Sequence, residues 1–513
     1  MRRSTSRGMR RNPIQASPSL SFFYRCACRR LSSAVGANRI SCLRAHPSII
    51  FGAPLAVLSG LRSNTFGVAP LLQTSALKTR RVVHSPFLAH LNLFHPLISK
   101  FHHQATRRTA LFYQVDIMIA ADNSYFNGKK LPQGDSPELV LVPATPGERI
   151  ESIRLNSKAW KGRLDLETYI MRENHLYQQR LNKDGLTCWI LVDRNEPEEH
   201  RTILGSCETY RKKAMLAHDG TVEDVLTHGI GSVYCRPDFR GKGYAKRMMQ
   251  ELSKKIETWK METETRKCCL FTVLFSDIGK DFYAQFGWQP YMSCHFALPP
   301  VSEEDYASAN AQANFPKTRI LAAEDVHESI CSEEVLQKER ELLRAVSQKS
   351  SVPRIAIAPN FEHFEWHWAR EEFYAERIHS DRELPRVKGA GEDSAGVYCA
   401  WNRSFGETPE ENTLYILRWV YDEPTSPEQD EKIVKAMAAV LRRAQLEAHR
   451  WNMATVEFWN PTPLLRKAVA LLDPKAEVVH REKSSIACLR WTGADHGLGA
   501  NVEWHLNEKY AWC

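Results

Sequence analysis

The run Val233-Tyr-Cys-Arg-Pro-Asp-Phe-Arg-Gly-Lys-Gly-Tyr-Ala245 carries the chain from an apolar strand, His228 to Cys235, into a helix through a turn with two glycines. That helix, Gly243 to Lys260, sets Met248, Met249, Leu252, Ile256 and Trp259 at steps of three and four, one apolar stripe. The next run, Cys268 to Phe275, has the continuous apolar character of a strand buried on both faces. Strand, glycine turn, amphipathic helix and buried strand in succession demand an α/β architecture with a mixed sheet. The turn also has chemical potential. A helix N-terminus reached through small residues leaves its amides unshielded, as phosphate binding requires. The spacing differs from both the dinucleotide and the Walker patterns.

Upstream, Leu139 to Val142, Thr187 to Val192 and Thr202 to Tyr210 read as strands, the last two paired as a meander, and Trp160 to Lys183 as helical. Downstream, a short helix Ile278 to Phe286 leads through Gly287-Trp288 to a strand over Tyr291 to Leu298. Pro299-Pro300 and an acidic stretch then mark a boundary. Beyond it the order strand, strand, helix, strand, helix, strand recurs: Ala395 to Asn402, Thr413 to Tyr421, a helix through Ile433 to Trp451, Ala454 to Trp459, Pro461 to Leu472, and Ser485 to Trp491. The expected organisation is an extension over 1–117, a leader over 118–136, a first domain over 137–298, a linker over 299–316 and a second domain over 317–513.

The net charge of +9 suggests a nucleic-acid partner until it is divided. Of 69 Lys and Arg, 17 lie in residues 1–115, which contain no acid; the remaining 52 face 60 Asp and Glu, a net of −8. A body of that sign is a poor partner for phosphate backbones and a reasonable host for a cationic substrate. The acid-free segment has the composition of a mitochondrial presequence but is longer than such a helix needs. The main expectation is an extension preceding a cytoplasmic enzyme that begins at Met118; import into mitochondria is the alternative. The 13 cysteines include no Cys-x-x-Cys and no His partners at ligand spacing, so neither a metal nor a disulfide framework is expected. No apolar run is long enough to cross a bilayer, so no membrane partner is expected.

Arg240-x-x-Gly243-x-Ala245 after a Val-x-Cys strand end resembles the acetyl-CoA pyrophosphate loop of GNAT-superfamily acyltransferases. Asp281-Phe-Tyr283-Ala-Gln-Phe-Gly287-Trp288 resembles that family's Tyr-x-x-x-Gly-aromatic ending, in the family's order and distance. This likeness covers about 137–298. A further likeness runs from about Met118 to the last residue. Phe275-Ser-Asp-Ile-Gly-Lys-Asp-Phe-Tyr283, Trp366-His-Trp-Ala-Arg370, Lys388-Gly-Ala390, Leu417-Arg418, Trp459-Asn-Pro461 and Asn507-Glu-Lys-Tyr-Ala-Trp-Cys513 resemble fungal lysine N6-acetyltransferases of lysine catabolism.

The resemblance implies a GNAT fold followed by a degenerate GNAT-like domain that shapes the substrate pocket. It implies acetyl-CoA as cosubstrate, the side-chain amine of free L-lysine as acceptor, and no metal. Cofactor contacts are expected from Val233, Tyr234, Cys235, Arg240, Gly241, Lys242, Gly243, Tyr244 and Ala245. Ser276, which stands where the superfamily usually has Asn, is expected to contact the cofactor as well. The alternatives are an enzyme acting on protein lysines or other amines, and a non-catalytic acyl-CoA-binding module.

The chemistry sets further requirements. An ε-amine with a pKa near 10.4 needs about 4.6 kcal/mol to reach its neutral form at pH 7. A carboxylate must therefore take its proton. Glu208, on the third strand, is the favoured base; Glu223, Asp224 and His228 are the others within reach. Backbone amides near Val233 to Cys235 would meet the oxyanion, and Tyr283 would protonate the departing thiolate. Arg370 and Arg418 are candidates to hold a substrate carboxylate.

Overall fold

In the computed structural model of the protein, residues 125–126, 128–260 and 269–512 are described. The extension over 1–117, the boundary at Met118 and the charged turn over 261–268 lie outside them. Strand β1, Leu139–Pro143, is followed by helices α1, Pro146–Trp160, and α2, Leu166–Tyr177. The single helical stretch expected from Trp160 therefore breaks. Asp165 is not inside a helix but caps α2, its carboxylate accepting the Thr168 N–H at 2.9 Å.

Strand β2, Leu186–Asp193, is buried along its whole length. Strands β3, Gly205–His218, and β4, Thr221–Tyr234, form a long hairpin. Asp219 and Gly220 close it at φ 46° and 75°, the pair of positive φ values that matches a two-residue turn to strand twist. Helix α3, Tyr244–Lys255, crosses to β5, Cys269–Ser276, which lies parallel to β4. After the short helix α4, Asp281–Ala284, comes strand β6, Cys294–Leu298.

The second half contributes β7, Arg354–Ile357, helix α5, Phe361–Ile378, and strands β8, Val397–Ser404, and β9, Thr413–Val420. Helix α6, Pro427–Arg450, then precedes β10, Thr455–Trp459, and later β11, Ile486–Trp491. The parallel pair β9–β10, joined across α6, repeats the pair β4–β5 joined across α3.

The two sheets do not respect the boundary expected at 298. Strand β6, read as the last of the first domain, pairs antiparallel with β10. Strand β11, read as the last of the second, runs antiparallel to β5 from Ile486 opposite Ser276 to Trp491 opposite Phe271. The halves have exchanged their closing strands. Each strand's apolar pattern shows that it is buried and leaves its neighbour open. In addition β7 continues the edge of β3 past the end of β2, opposite Ala214 to Ala217. The stretch expected as a linker holds the helix Glu303–Ala313, capped by Ser302.

Helix α3 packs Met248, Met249 and Leu252 onto the first sheet with Trp189, Leu274, Trp288 and Cys488. Helix α6 lays Ala436, Met437, Val440 and Ala444 on the second. A buried ion network ties that half together: Arg403 bridges Glu371 on α5 and Glu447 on α6, and Lys388 joins Glu371 at 2.9 Å. Among the described residues no helix is long and apolar enough to cross a membrane, and no cluster of His, Cys, Asp or Glu could hold a metal ion.

Candidate active site

Strands β4 and β5 pair only as far as Ile230 and Leu274. Two residues of β4, Ser232 and Val233, face the single Cys207 on β3, and Ser232 has φ 51°. This bulge bends β4 where it parts from β5 and opens a wedge in the sheet. Gly231 to Tyr234 therefore line the opening without a β5 partner.

Below the wedge the chain makes a short 3-10 turn, Pro237–Phe239, and reaches α3 through Arg240 to Gly243. Gly241 and Gly243 take φ 78° and 85°, a region costly for side chains with a Cβ. A Cβ on Gly241 would meet nothing within 4 Å, so there is open space over the loop. The first intrahelical donor is the Arg247 N–H, 2.9 Å from Gly243 O, which leaves the preceding amides of Gly243, Tyr244 and Ala245 as donors to a ligand. These features fit a pyrophosphate. The Tyr244 side chain takes no part: it is buried, and its hydroxyl donates to Pro132 O at 2.7 Å. Arg240 is exposed, its Nε 3.3 Å from Cys235 O, and free to turn toward an anion. Tyr234 is buried and Cys235 half-buried, its thiol directed at Leu204 O.

Glu208 stands beside the wedge, opposite Gly231. Its Oε2 accepts from Ser232 Oγ at 2.6 Å and from the Tyr210 hydroxyl at 2.8 Å. Burial pushes its pKa up, and the charge of Glu173 adds to the rise, while the two hydrogen bonds oppose it. A carboxylate so placed is a stronger base than one in water. Cys207, its neighbour on β3, points to the other face and joins the core that contains Tyr283. Glu208 and the core that contains Tyr283 thus lie on opposite faces of β3. Tyr283 is 6% exposed, and burial holds its phenol protonated far above neutral pH. It is an acid that keeps its proton until a strong base, such as a thiolate in a dry cleft, takes it.

Other candidates lie elsewhere. Ser276 does not offer its hydroxyl to a cofactor: the Oγ donates to Gly279 O at 2.6 Å and accepts the Ile278 N–H, closing the turn after β5. Arg418 is no substrate anchor. It is fully buried and paired with Glu339 at 2.7 Å and Glu508 at 3.3 Å. His228 is buried with its Nε2 3.0 Å from Trp259 O, and burial lowers its pKa to about 4. Glu223 and Asp224 are exposed at the far end of β4, Asp224 in an ion pair with Arg340.

Arg370, half-buried on α5, does face the Glu208 region. Both are near Tyr169, together with Arg172 and Glu173. The sequence reading missed Ser232 and Tyr210. Tyr210 was detectable, since it lies two residues from Glu208 on one strand and so on the same face. Ser232 was not, because its position depends on the bulge.

A strand wedge with open amides at the helix below it and a buried carboxyl beside it suits an N-acetyltransferase, and the sequence comparisons agree. Residues 186–290 match the family model for the acetyltransferase (GNAT) domain, and residues 295–513 match that for the LYC1 GNAT-like C-terminal domain. The chain is 25% identical over 390 residues to an uncharacterized protein of Saccharomyces cerevisiae, covering 70% of this chain and 93% of that one. It is 23% identical over 308 residues to a lysine acetyltransferase of Yarrowia lipolytica, covering 53% and 74%. A GCN5-related N-acetyltransferase structure from Kribbella flavida aligns over 71% of this chain and 74% of that one, at 15% identity and a TM-score of 0.40. The protein is a GNAT-type N-acetyltransferase with a GNAT domain followed by a GNAT-like C-terminal domain of the LYC1 type.

Proposed function

We propose that the protein transfers the acetyl group of acetyl-CoA to the side-chain amine of free L-lysine, as an enzyme of lysine breakdown. The observation that carries this reading is Glu208, held by Ser232 and Tyr210 at the edge of the strand wedge. In the reaction Glu208 takes a proton from the substrate ammonium, directly or through one water, and the freed amine attacks the thioester carbonyl. Amides of the Gly231 to Cys235 stretch stabilise the charge that develops on the carbonyl oxygen. As the carbon–sulfur bond breaks, the Tyr283 hydroxyl gives its proton to the thiolate, and the substrate nitrogen releases its second proton through water, which restores the phenol and leaves the neutral amide. GNAT acetyltransferases use acetyl-CoA, and the loop amides of Gly243 to Ala245 would hold its pyrophosphate. The net charge of −8 outside the N-terminal segment favours a cationic acceptor.

The test is a substrate panel with the purified protein: free lysine, ornithine, a small polyamine and a lysine-rich peptide. Acetylation of free lysine at its ε-nitrogen with kcat/KM well above the peptide's supports the reading. Preference for the peptide would transfer the activity to protein lysines.

A further inference from the structure

Lys509 and Arg370 are cations without a counter-charge in contact. Lys509 is 5% exposed, and its Nζ lies 3.8 Å from the ring centroid of Trp512 and 4.5 Å from those of Tyr415 and Trp459. The Arg370 guanidinium sits 5.7 Å from the same Trp512 ring. Among the described residues neither side chain makes a hydrogen bond or an ion pair. Glu457 and Asp277 are close enough to act on Lys509 through space but do not reach it. Glu173, which acts on Arg370 through space, is held by Arg172.

The chain gives its other buried cations an acceptor, if only a backbone carbonyl, as for Lys212 on Ala511 O at 2.7 Å and Arg481 on Cys294 O at 2.9 Å. Arg172 has Glu173 and the Tyr374 hydroxyl, Arg403 has Glu371 and Glu447, and Arg418 has Glu339 and Glu508. Burying a charge unpaired is costly, so Lys509, with the half-buried Arg370 beside the same aromatic ring, requires an explanation. Burial and the charge of Arg370 push the Lys509 ammonium well below its ordinary range, the response of a cation that lacks an anion.

The position supplies the explanation. Arg370 also neighbours Tyr169, whose surroundings include Glu208 and Glu173. Carboxylates and cations thus both border Tyr169, Glu208 with Glu173 and Arg370 with Arg172. Resting on the reading above, we infer that Lys509 and Arg370 together receive the α-carboxylate of the substrate, leaving its distal ammonium to Glu208. The preferred acceptor is then a free amino acid, because a residue within a peptide has no carboxylate to place there.

The experiment compares lysine, 6-aminohexanoate and cadaverine at saturating acetyl-CoA. Cadaverine keeps lysine's amine chain and lacks the carboxylate; 6-aminohexanoate keeps the carboxylate and lacks the α-amine. Lys509→Met and Arg370→Met should each raise KM for lysine and 6-aminohexanoate about 10²-fold, the loss expected for a charge-assisted contact, with kcat changed less than about threefold. Cadaverine should be unaffected, and Lys509→Arg should recover much of the loss. Equal effects on lysine and cadaverine, or an unchanged KM for lysine, would overturn the assignment. Arg370→Met covers the case in which Lys509→Met does not fold, with CoA affinity as the check on integrity. Should none of the three amines be acetylated, the proposed function fails by itself. Calorimetry with lysine then tests the receptor: binding lost in the variants upholds it, and binding unchanged or absent in the parent refutes it.

Discussion

In the first half β4 runs into α3 through Arg240 to Gly243, and the leading amides of the helix stay open. In the second, β9 runs into α6 through Tyr421 to Ser426, and side chains close the same place. Pro427 brings no N–H, Ser426 Oγ accepts the Gln429 N–H at 3.3 Å, and Gln429 Oε1 accepts from Thr425 N–H at 2.8 Å. The wedges differ in the same way. Strands β9 and β10 also stop pairing, after Ile416 and Phe458. There the chain's own C-terminal segment bridges the opening: Trp419 N–H donates to Glu508 Oε1 at 3.1 Å, and Asn460 Nδ2 to Asn507 O at 2.6 Å. The halves share their strand geometry and differ in the helix start, whose amides are unshielded only in the first.

The largest effect should come from making the open turn resemble the closed one. Gly243→Glu forces a side chain into left-handed backbone, at about 1–2 kcal/mol, and sets a negative charge where phosphates would lie. CoA binding followed by calorimetry should be lost in that variant, while the parent binds one CoA per chain. A parent stoichiometry of two would mean that the second turn is not closed, and the contrast would fail.

Next in size is Glu208→Gln, which keeps the shape and removes the base. We expect kcat to fall about 10²–10⁴-fold, the range for a lost general base, with CoA affinity unchanged. Because the pKa of Glu208 is raised, its basic form is lost as pH falls through that raised value. The parent's activity should therefore rise with pH across an acidic limb that disappears in the variant. Tyr283→Phe should lower kcat by about 10²-fold and leave thermal stability nearly unchanged, since only a hydroxyl is removed. Near-normal turnover, measured where chemistry limits the rate, would mean that the thiolate leaves without Tyr283.

Arg418→Met gives the smallest effect on catalysis and reports on the second half. Removing a buried cation that serves two carboxylates should cost about 3–5 kcal/mol of stability, read by denaturant melts. The KM for the amine should hold in the fraction that remains folded. A raised KM at unchanged stability would restore Arg418 as a substrate anchor.

The turn at Arg240 to Ala245 was legible in the sequence because glycines at fixed places announce backbone that other residues resist. Glu208 could be placed on its strand by the alternation that precedes it. The strand exchange was not legible, since Cys294 to Leu298 and Ile486 to Trp491 each show a buried face and no address. Ser276 and Arg418 were misjudged for one reason: a polar residue near a site reads as functional until its partners are known. Those partners are Gly279, three residues on, and Glu508, 90 positions away. Lys509 is harder still, since nothing local shows that its segment returns between the halves.

The exchanged strands also bear on the order in which the protein can be built. During synthesis the turn, the wedge and Glu208 emerge early, but β5 has an open edge until Ile486 to Trp491 arrive. Those residues are made about two hundred positions after β5, so the acetyltransferase half waits until then as an incomplete sheet. Contacts so distant in sequence close slowly, and an open strand edge is a place for another chain to attach. Helix α6 and the second sheet, which can take up β6 as soon as β10 is made, are then the part that can settle first. The sheet that carries the wedge is thus completed by a strand made after the other half's own strands.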